Sequence, residues 1–249
     1  MNEFKLSRST ETIAVPEDER EAYLNQLGPN LKAEIERRIA EDPIIGEGKT
    51  ARVFSSIETR TPMPVCFKIW RPDILKMKDK DPVGYRRLQY SSPEEEFNLQ
   101  DKLYMAGFRR IPRPMAFETV DEHQVMAMEE LPGYTFQEIE TAGATVGDPG
   151  WKELERLLFE LNRRYGIVHR DLGTQNIFLK TEDKLEPGTT IAGEIYFIDL
   201  GLSKKVSSEP TPDDFTLTIG KNMIRYPGDH QNVERLKPIP GKRGIFAHL

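Results

Sequence analysis

The amino-acid sequence predicts an α+β fold of two lobes, with a β-sheet in the N-terminal lobe and a reduced set of helices in the C-terminal lobe. From residue 43 onward, glycine and proline separate short runs of β-favouring residues at 44–46, 52–57 and 65–70, a pattern typical of an antiparallel sheet. Helical periodicity dominates later and is clearest in residues 151–165. Because strands precede helices along the chain, we expect them to form separate lobes.

A polar leader and an amphipathic helix precede the predicted sheet and occupy residues 1–42. The helix is predicted over residues 18–40, where four aliphatic residues recur at helical spacing: Leu24, Leu27, Leu31 and Ile35. The N-terminal lobe is then predicted over residues 43–131, and the C-terminal lobe over residues 132–249.

One helix interrupts the strands of the N-terminal lobe. Four residues recur at helical spacing within residues 93–106 of this lobe: Phe97, Leu99, Leu103 and Tyr104. Gly107 follows as a stop signal. The lobe is completed by two further predicted strands at residues 115–119 and 124–128.

The C-terminal lobe begins at the break Leu131-Pro132-Gly133. Its strongest helix is predicted over residues 151–165, where four leucines form one stripe: Leu154, Leu157, Leu158 and Leu161. Short strands at residues 177–179 and 195–198 flank a loop. The tail after Leu202 is rich in Pro, Gly, Ser and Asp, so we expect it to be irregular.

Composition and charge exclude several classes of protein. Hydrophobic residues make up 37% of the 249 residues and charged residues 31%, and no apolar run is long enough to span a bilayer. No segment near Met1 has the apolar core of a secretory signal, and the single cysteine, Cys66, excludes an internal disulfide framework. The formal net charge of −6 argues against a general nucleic-acid binder. We therefore expect a cytoplasmic, reducing compartment, with neither membrane nor nucleic acid as a partner.

The strongest chemical pattern is His-Arg-Asp-Leu-Gly-Thr-Gln-Asn at residues 169–176. Transfer of a terminal phosphoryl group needs the nucleotide phosphates held, their charge neutralised by a metal ion, and an acceptor hydroxyl aligned. Asp171 and Asn176 lie five residues apart in one predicted loop. The carboxylate can orient the hydroxyl and accept its proton, and the amide can bind Mg²⁺. The alternative is a polar turn between a helix and a strand.

A second carboxylate, Asp199, follows 28 residues after Asp171. It ends the apolar strand of the run Tyr-Phe-Ile-Asp-Leu-Gly at residues 196–201. Hard oxygen ligands suit Mg²⁺, which usually takes one or two protein groups together with phosphate oxygens and water. An isolated Asp-Leu-Gly turn is common, so it is the coupling to the first block that favours a metal site.

These motifs, in this order, resemble those of the protein-kinase superfamily. Residues 169–176 resemble its catalytic loop, and residues 199–201 resemble its metal-binding turn. Upstream, Gly-Glu-Gly-Lys-Thr-Ala-Arg-Val at residues 46–53 resembles the glycine-rich loop, with alanine in place of the third glycine. Val-Cys-Phe-Lys at residues 65–68 resembles the strand that carries the phosphate-binding lysine.

The resemblance implies ATP and Mg²⁺ as cofactors. Asp171 and Lys68 are then the catalytic residues, and Asn176 and Asp199 are the metal ligands. The glycine-rich loop and the segment between the lobes, whose backbone would bind adenine, supply the other nucleotide-binding positions: Ile45, Gly46, Gly48, Val53, Glu129 and Leu131.

The carboxylate partner of Lys68 is expected in the acidic run Glu94-Glu95-Glu96. We choose Glu96, which the resemblance places directly before Phe97 and eleven residues before Gly107, and keep Glu95 as the alternative. The other two carboxylates suit a helix N-terminus, where negative charge is favourable.

Within the superfamily, the chain is most similar to compact atypical kinases of the RIO type, over about residues 44–202. The segments responsible are Gly46-Glu47-Gly48-Lys49, residues 96–107, Ile111-Pro112-Arg113-Pro114 with Ala116-Phe117, and Met128-Glu129. The chain is also similar to minimal kinases that some bacterial pathogens inject into host cells, so secretion as an effector stays open.

Two departures from the superfamily pattern bear on the acceptor. Gly173 stands where typical serine/threonine kinases carry a lysine, and no Ala-Pro-Glu segment occurs in the 50 residues after Asp199. We expect a protein serine or threonine hydroxyl as the acceptor, with the protein substrate recognised outside a standard activation segment. The alternatives are a small-molecule kinase of the antibiotic-phosphotransferase kind, and an ATPase or nucleotide-binding scaffold whose output is conformational.

Overall fold

A computed structural model describes most of the chain between the predicted leader and the tail. The described residues are 37, 44–48, 50–55, 64–72, 91–120, 123–205, 215–219, 222–226 and 229–237. Of the predicted leader and helix over residues 1–42, only Arg37 belongs to this set, and it is helical. The rest of that prediction lies outside the described residues.

The N-terminal lobe is built on an antiparallel sheet of five strands in the order β1-β2-β3-β5-β4. The strands are β1 (Ile44–Glu47), β2 (Ala51–Ser55), β3 (Val65–Trp70), β4 (Pro114–Val120) and β5 (His123–Glu129). All six residues of β3 are buried, because neighbouring strands flank it and side chains cover both faces. The predicted antiparallel sheet is confirmed.

The helix of this lobe, α1 (Pro93–Met105), has a strongly specified start. The Ser92 hydroxyl accepts a hydrogen bond from the backbone N–H of Glu95, and the Glu95 carboxylate accepts one from the backbone N–H of Ser92. This capping box satisfies two N–H groups at the helix terminus, and Pro93 at the first position fits the fixed helical φ. The helix ends before Gly107, whose φ of +99° is unfavourable for other residues.

The C-terminal lobe mixes short strands with helices and holds the larger apolar core. Its elements up to the metal-binding turn are β6 (Gly133–Thr135), α2 (Phe136–Thr141), β7 (Thr145–Val146), α3 (Asp148–Tyr165), β8 (Ile167–Val168), β9 (Ile177–Lys180), β10 (Thr190–Ile191) and β11 (Glu194–Phe197). Strands β11, β9 and β6 form one antiparallel sheet, and β10 pairs with β7 in parallel.

Helix α3 anchors the core of this lobe. The predicted stripe of Leu154, Leu157, Leu158 and Leu161 is fully buried. The helix ends at Gly166, whose left-handed conformation (φ +65°) lets its N–H bond back to the last turn. The chain therefore turns directly into β8 and the loop that follows it.

The tail differs from the irregular segment that was predicted. It contains β12 (Lys204–Lys205), the hairpin of β13 (Phe215–Ile219) and β14 (Asn222–Tyr226), and α4 (Asp229–Leu236). Strand β12 pairs with β8, and α4 buries Val233 in the main core. These elements are too short to give a clear periodicity, and α4 is held by contacts far away in sequence.

The architecture is thus the two-lobed, protein-kinase-like α+β fold expected from the sequence. None of the helices in the described part of the chain is both long and apolar enough to cross a membrane.

Candidate active site

Lys68 is the centre of a buried charged cluster between the sheet and α1. Its Nζ lies 2.6 Å from Oε1 of Glu96 and 3.0 Å from Oδ1 of Asp199. Glu96 is 2% exposed, whereas the side chain of Asp199 is 45% exposed. The cluster therefore joins β3, α1 and the turn after β11. The Glu96 carboxylate is buried, and the Asp199 carboxylate is partly exposed to solvent.

The three charges hold one another in the ionised state. Burial disfavours the Lys68 ammonium, but the carboxylates of Asp199 and Glu96 outweigh it and raise the pKa of Lys68. Burial also works against the Asp199 carboxylate, yet Lys68 and the backbone N–H of Gly201 keep its pKa below its usual range. Burial raises the pKa of Glu96, and the ammonium 2.6 Å away opposes that rise. We treat Lys68, Glu96 and Asp199 as charged, because the ammonium of Lys68 forms an ion pair with both carboxylates.

Glu96, rather than the alternative Glu95, meets Lys68. Glu95 is occupied by the capping box at the start of α1 and is exposed. Glu96 is one position further along the helix and faces inward, where its carboxylate accepts a hydrogen bond from the ammonium of Lys68. The helix thus assigns the two neighbouring carboxylates to different tasks.

The loop of residues 169–176 brings Asp171 and Asn176 into direct contact. The Nδ2 of Asn176 donates to the backbone oxygen of Asp171 at 2.7 Å and to its Oδ2 at 3.0 Å. Backbone hydrogen bonds from Gly173 to Asp171 and from Asn176 to Gly173 tighten the turn between them. Because the amide nitrogen is used by Asp171, the amide oxygen of Asn176 is the atom left for a cation.

One backbone hydrogen bond and one side-chain contact join this loop to the segment that carries Asp199. The N–H of Ile198 donates to the carbonyl of Asn176, and Nε2 of the buried His169 lies 3.1 Å from the carbonyl of Ile198. Arg170 and Asp199 both have positive φ values, of 70° and 58°. Left-handed backbone at non-glycine residues is uncommon and concentrates at functional sites, where the surrounding structure maintains it.

Asp229, at the start of α4, holds the backbone of the loop of residues 169–176. This residue was not identified from the sequence. Its carboxylate is buried and accepts hydrogen bonds from the backbone N–H of His169 (2.6 Å) and of Arg170 (2.8 Å). The local sequence Pro-Gly-Asp-His at residues 227–230 has the composition of an ordinary turn. The contact spans 60 residues, so no local signal could have revealed it.

Gly201, in the predicted metal-binding turn, is closely packed. A Cβ on Gly201 would lie 3.1 Å from Oε2 of Glu96 and 3.2 Å from Oδ1 of Asp199. The carbonyl of Gly201 accepts a hydrogen bond from the N–H of Ser91, just before α1. A side chain at this position would therefore require small shifts of the Glu96 and Asp199 carboxylates.

The predicted nucleotide-binding positions of the glycine-rich loop lie on the β1–β2 hairpin, in register with Lys68. Gly46 is opposite Val53, and Val53 is opposite Lys68 on the next strand. Ile45 and Gly48 are exposed on the same hairpin. The β1–β2 hairpin is therefore paired directly with the strand that carries Lys68.

The predicted adenine-binding segment lies at the end of β5. The carbonyl of Glu129 is 3.7 Å from the thiol sulfur of Cys66, the residue two positions before Lys68 on the same face of β3. The Glu129 carboxylate accepts from the N–H of Arg113 and lies 3.5 Å from the ammonium of Lys180. Leu131, two residues on, is partly buried. The roles of these residues in binding a nucleotide stay predictions.

The donor set suits Mg²⁺. The amide oxygen of Asn176 and the half-exposed carboxylate of Asp199 are hard oxygen donors, as Mg²⁺ prefers. Within the described ranges, no group of three or more His, Cys, Asp or Glu side chains could hold a metal ion by itself.

Comparisons with known proteins agree with this geometry. A sequence model of the lipopolysaccharide kinase (Kdo/WaaP) family matches residues 37–210, more than two thirds of the chain. No curated protein is similar to the chain at a significant level. The narrower resemblance to RIO-type kinases stays a prediction.

Two matching solved structures illustrate the range of similarity. Rad53 residues 1–466 in complex with AMP-PNP is 25% identical with a TM-score of 0.45, and the kinase domain of PF14_0431 is 16% identical with a TM-score of 0.45. The matches cover 65% and 68% of this chain. They span only 37% of the Rad53 chain and 52% of the PF14_0431 chain.

Proposed function

Because the chain belongs to the lipopolysaccharide kinase (Kdo/WaaP) family, we propose that it transfers the γ-phosphoryl group of ATP to a hydroxyl group of an acceptor. The observation that carries this proposal is the assembled charged cluster. Lys68 is in contact with Glu96 and Asp199, and residues 169 and 176 of the loop that carries Asp171 each contact the backbone of Ile198, the residue before Asp199.

Each residue of the cluster has a separate task in this reaction. Glu96 holds the Lys68 ammonium at a fixed position, where it can bind the phosphate oxygens of ATP. Asp171 orients the acceptor hydroxyl and accepts its proton, while the hydrogen bond from Asn176 holds its carboxylate in place. Bound Mg²⁺ would neutralise the phosphate charge, with Asn176 and Asp199 as its protein ligands. The pre-formed ion pairs mean that little rearrangement is needed before transfer.

The acceptor class is the finer part of the proposal. The description of the family favours a saccharide hydroxyl, of the kind carried by lipopolysaccharide. The His-Arg-Asp form of the catalytic loop favours a serine or threonine hydroxyl of a protein. We place the saccharide first, because the family match extends over most of the chain and the motif over eight residues.

Radiolabelled ATP with separate acceptor pools tests this assignment. Wild type and Asp171→Ala are incubated with Mg²⁺ and [γ-³²P]ATP in four arms: lipopolysaccharide with its deacylated core saccharide, a mixture of folded proteins, a set of aminoglycosides, and no acceptor. We expect label in the saccharide arm with wild type and none with Asp171→Ala.

The other outcomes separate the remaining functions. Label in the protein arm alone would support a protein serine/threonine kinase, and label in the aminoglycoside arm a small-molecule kinase. Release of inorganic phosphate in every arm, unchanged in Asp171→Ala, would support an ATPase switch. If wild type consumes no ATP in any arm, the proposal of a phosphotransferase is wrong.

A further inference from the structure

A buried amide lies on α1 beside the charged cluster. Gln100 is 3% exposed and follows Glu96 by four residues, so the two side chains lie on the same face of the helix, one turn apart. Glutamine is seldom buried, because its amide loses water unless protein groups replace it. Its presence on the inner face of α1 therefore calls for a partner.

The partners of Gln100 are in the segment before β4 and on β5. Its Nε2 donates a hydrogen bond to the carbonyl of Pro112 at 2.8 Å and lies 4.0 Å from Sδ of Met128. Pro112 is in the segment that leads into β4, and Met128 is on β5, paired with Cys66 of β3. One amide thus connects the helix of Glu96 to β5, which pairs with the strand of Lys68, and to the segment before β4.

This connection depends on the position of α1. If the helix moved away from the sheet, the Glu96–Lys68 ion pair and the Gln100–Pro112 hydrogen bond would both be lost. An unpaired buried amide is unfavourable, so the displaced position is disfavoured unless water reaches it. An apolar side chain of similar size would pack in the displaced helix almost as well. The amide therefore favours the one helix position in which Glu96 reaches Lys68.

We propose that Gln100 is a positioning residue for phosphoryl transfer, acting through Glu96 on the Lys68 ammonium. The inference rests on the proposed function and adds a residue to it. Gln100 does not touch the reacting groups. It fixes α1 against β4 and β5, and so sets the distance between the carboxylate of Glu96 and the lysine.

Substitution of the amide tests the first part. Gln100→Leu and Gln100→Met keep an apolar side chain of similar size and remove the hydrogen bond. We expect kcat/KM for ATP to fall on the order of 10- to 100-fold, as a displaced binding group would cause. Circular dichroism at the assay temperature checks that both variants are folded. The affinity for Mg·AMP-PNP, measured by calorimetry, should fall in parallel and needs no acceptor.

A double-mutant cycle with Glu96→Gln tests whether Gln100 acts through Glu96. In the Glu96→Gln background, Gln100→Leu should change affinity and turnover by less than about twofold, because the ion pair that it positions is already lost. The matched control is Asn162→Leu on α3. Asn162 is also 3% exposed and donates through its amide to a backbone carbonyl, that of Ile167 at 2.6 Å.

The control separates positioning from stability. Asn162→Leu should lower the melting temperature as Gln100→Leu does. Its effects on affinity and turnover should add to those of Glu96→Gln. Additive effects of Gln100→Leu and Glu96→Gln would overturn the proposal, and so would wild-type affinity and turnover in Gln100→Leu. Wild-type turnover in the same assay tests the proposed function separately. If it is absent while Mg·AMP-PNP still binds, the cycle is evaluated on affinity alone.

Discussion

At the scale of single residues, the site depends on charges that are stable only as a group. A buried ion pair is compatible with a protein core when its charges and remaining hydrogen-bonding groups are satisfied together. Lys68 meets this condition through two carboxylates, and Glu96 through the ammonium of Lys68. Removal of any one charge should therefore be costly even without a nucleotide.

Lys68→Met tests this dependence through the pH profile of stability. The variant leaves Glu96 buried without its cation, so we expect about 3–5 kcal/mol less stability at neutral pH. Burial raises the pKa of Glu96, and the opposing ammonium is now gone. The folded variant therefore takes up a proton at a higher pH than the unfolded chain does, which adds stability as the pH falls. The deficit should shrink between about pH 8 and pH 5 in urea unfolding.

Lys152→Met is the matched control, since Lys152 is exposed on α3. Its stability relative to wild type should stay constant with pH, within about 0.5 kcal/mol. A deficit of Lys68→Met that is constant, or that grows as the pH falls, would show that Glu96 is not held ionised by the lysine.

The choice between Glu95 and Glu96 shows how far residue-level reasoning can go. The acidic run after Pro93 predicts a helix N-terminus with favourable charges, and this is what Glu95 contributes. Which carboxylate faces inward depends on the rotation of the helix against the sheet. Helical periodicity fixes that rotation only when the apolar stripe is strong, and in α1 two of the four buried residues are Glu96 and Gln100. The assignment therefore came from the family resemblance.

At the scale of elements, the strand after the catalytic loop is visible in the sequence, as is helix α3 with its leucine stripe, whereas the two-residue strand β8 before the loop was not predicted. Helix α4 has eight residues, too few to be stable by itself in water. Its role depends on the buried carboxylate of Asp229, and burial cannot be predicted from one polar residue in a turn-like segment.

Asp229→Ala should loosen the loop. The backbone N–H groups of His169 and Arg170 lose a charged acceptor, which we expect to cost roughly 3 kcal/mol of stability. Because Asp171 is the next residue, kcat should fall more than the affinity for Mg·AMP-PNP. Asp229→Asn retains one acceptor oxygen and should give an intermediate loss of both quantities. Unchanged kcat in Asp229→Ala would show that α4 does not position the loop that carries Asp171.

Substitution of Gly133 tests the packing of the three-stranded sheet formed by β11, β9 and β6. Its φ is +137°, and a Cβ there would overlap the carbonyl oxygen of Leu179 on β9. We expect Gly133→Ala to cost roughly 3 kcal/mol or more in urea unfolding, because the backbone itself must shift. Gly188→Ala is the control: Gly188 has a φ of +79° with no atom within 4 Å of a Cβ, so only about 1–2 kcal/mol of backbone strain is expected. Equal losses would mean that the sheet can yield at Gly133.

At the scale of the whole molecule, the order of motifs predicted the fold more reliably than any one motif did. Residues 46–53, Lys68, residues 169–176 and Asp199 are individually ordinary, but their sequence order matches a single arrangement of two lobes around a cleft. The acceptor was not determined in the same way. It depends on surfaces around the cleft that vary while the phosphate-binding groups stay the same.

We propose that Lys68, Asn176 and Asp199 form one site that binds Mg²⁺ and ATP together. Calorimetric titration of AMP-PNP into wild type, Lys68→Met, Asp199→Asn and Lys152→Met, with and without Mg²⁺, tests it most directly. We predict a single site in wild type and Lys152→Met that is tightened by Mg²⁺. Lys68→Met should bind on the order of tenfold or more weakly, and Asp199→Asn should lose the effect of Mg²⁺. Equal, Mg²⁺-dependent binding by all four proteins would contradict the account.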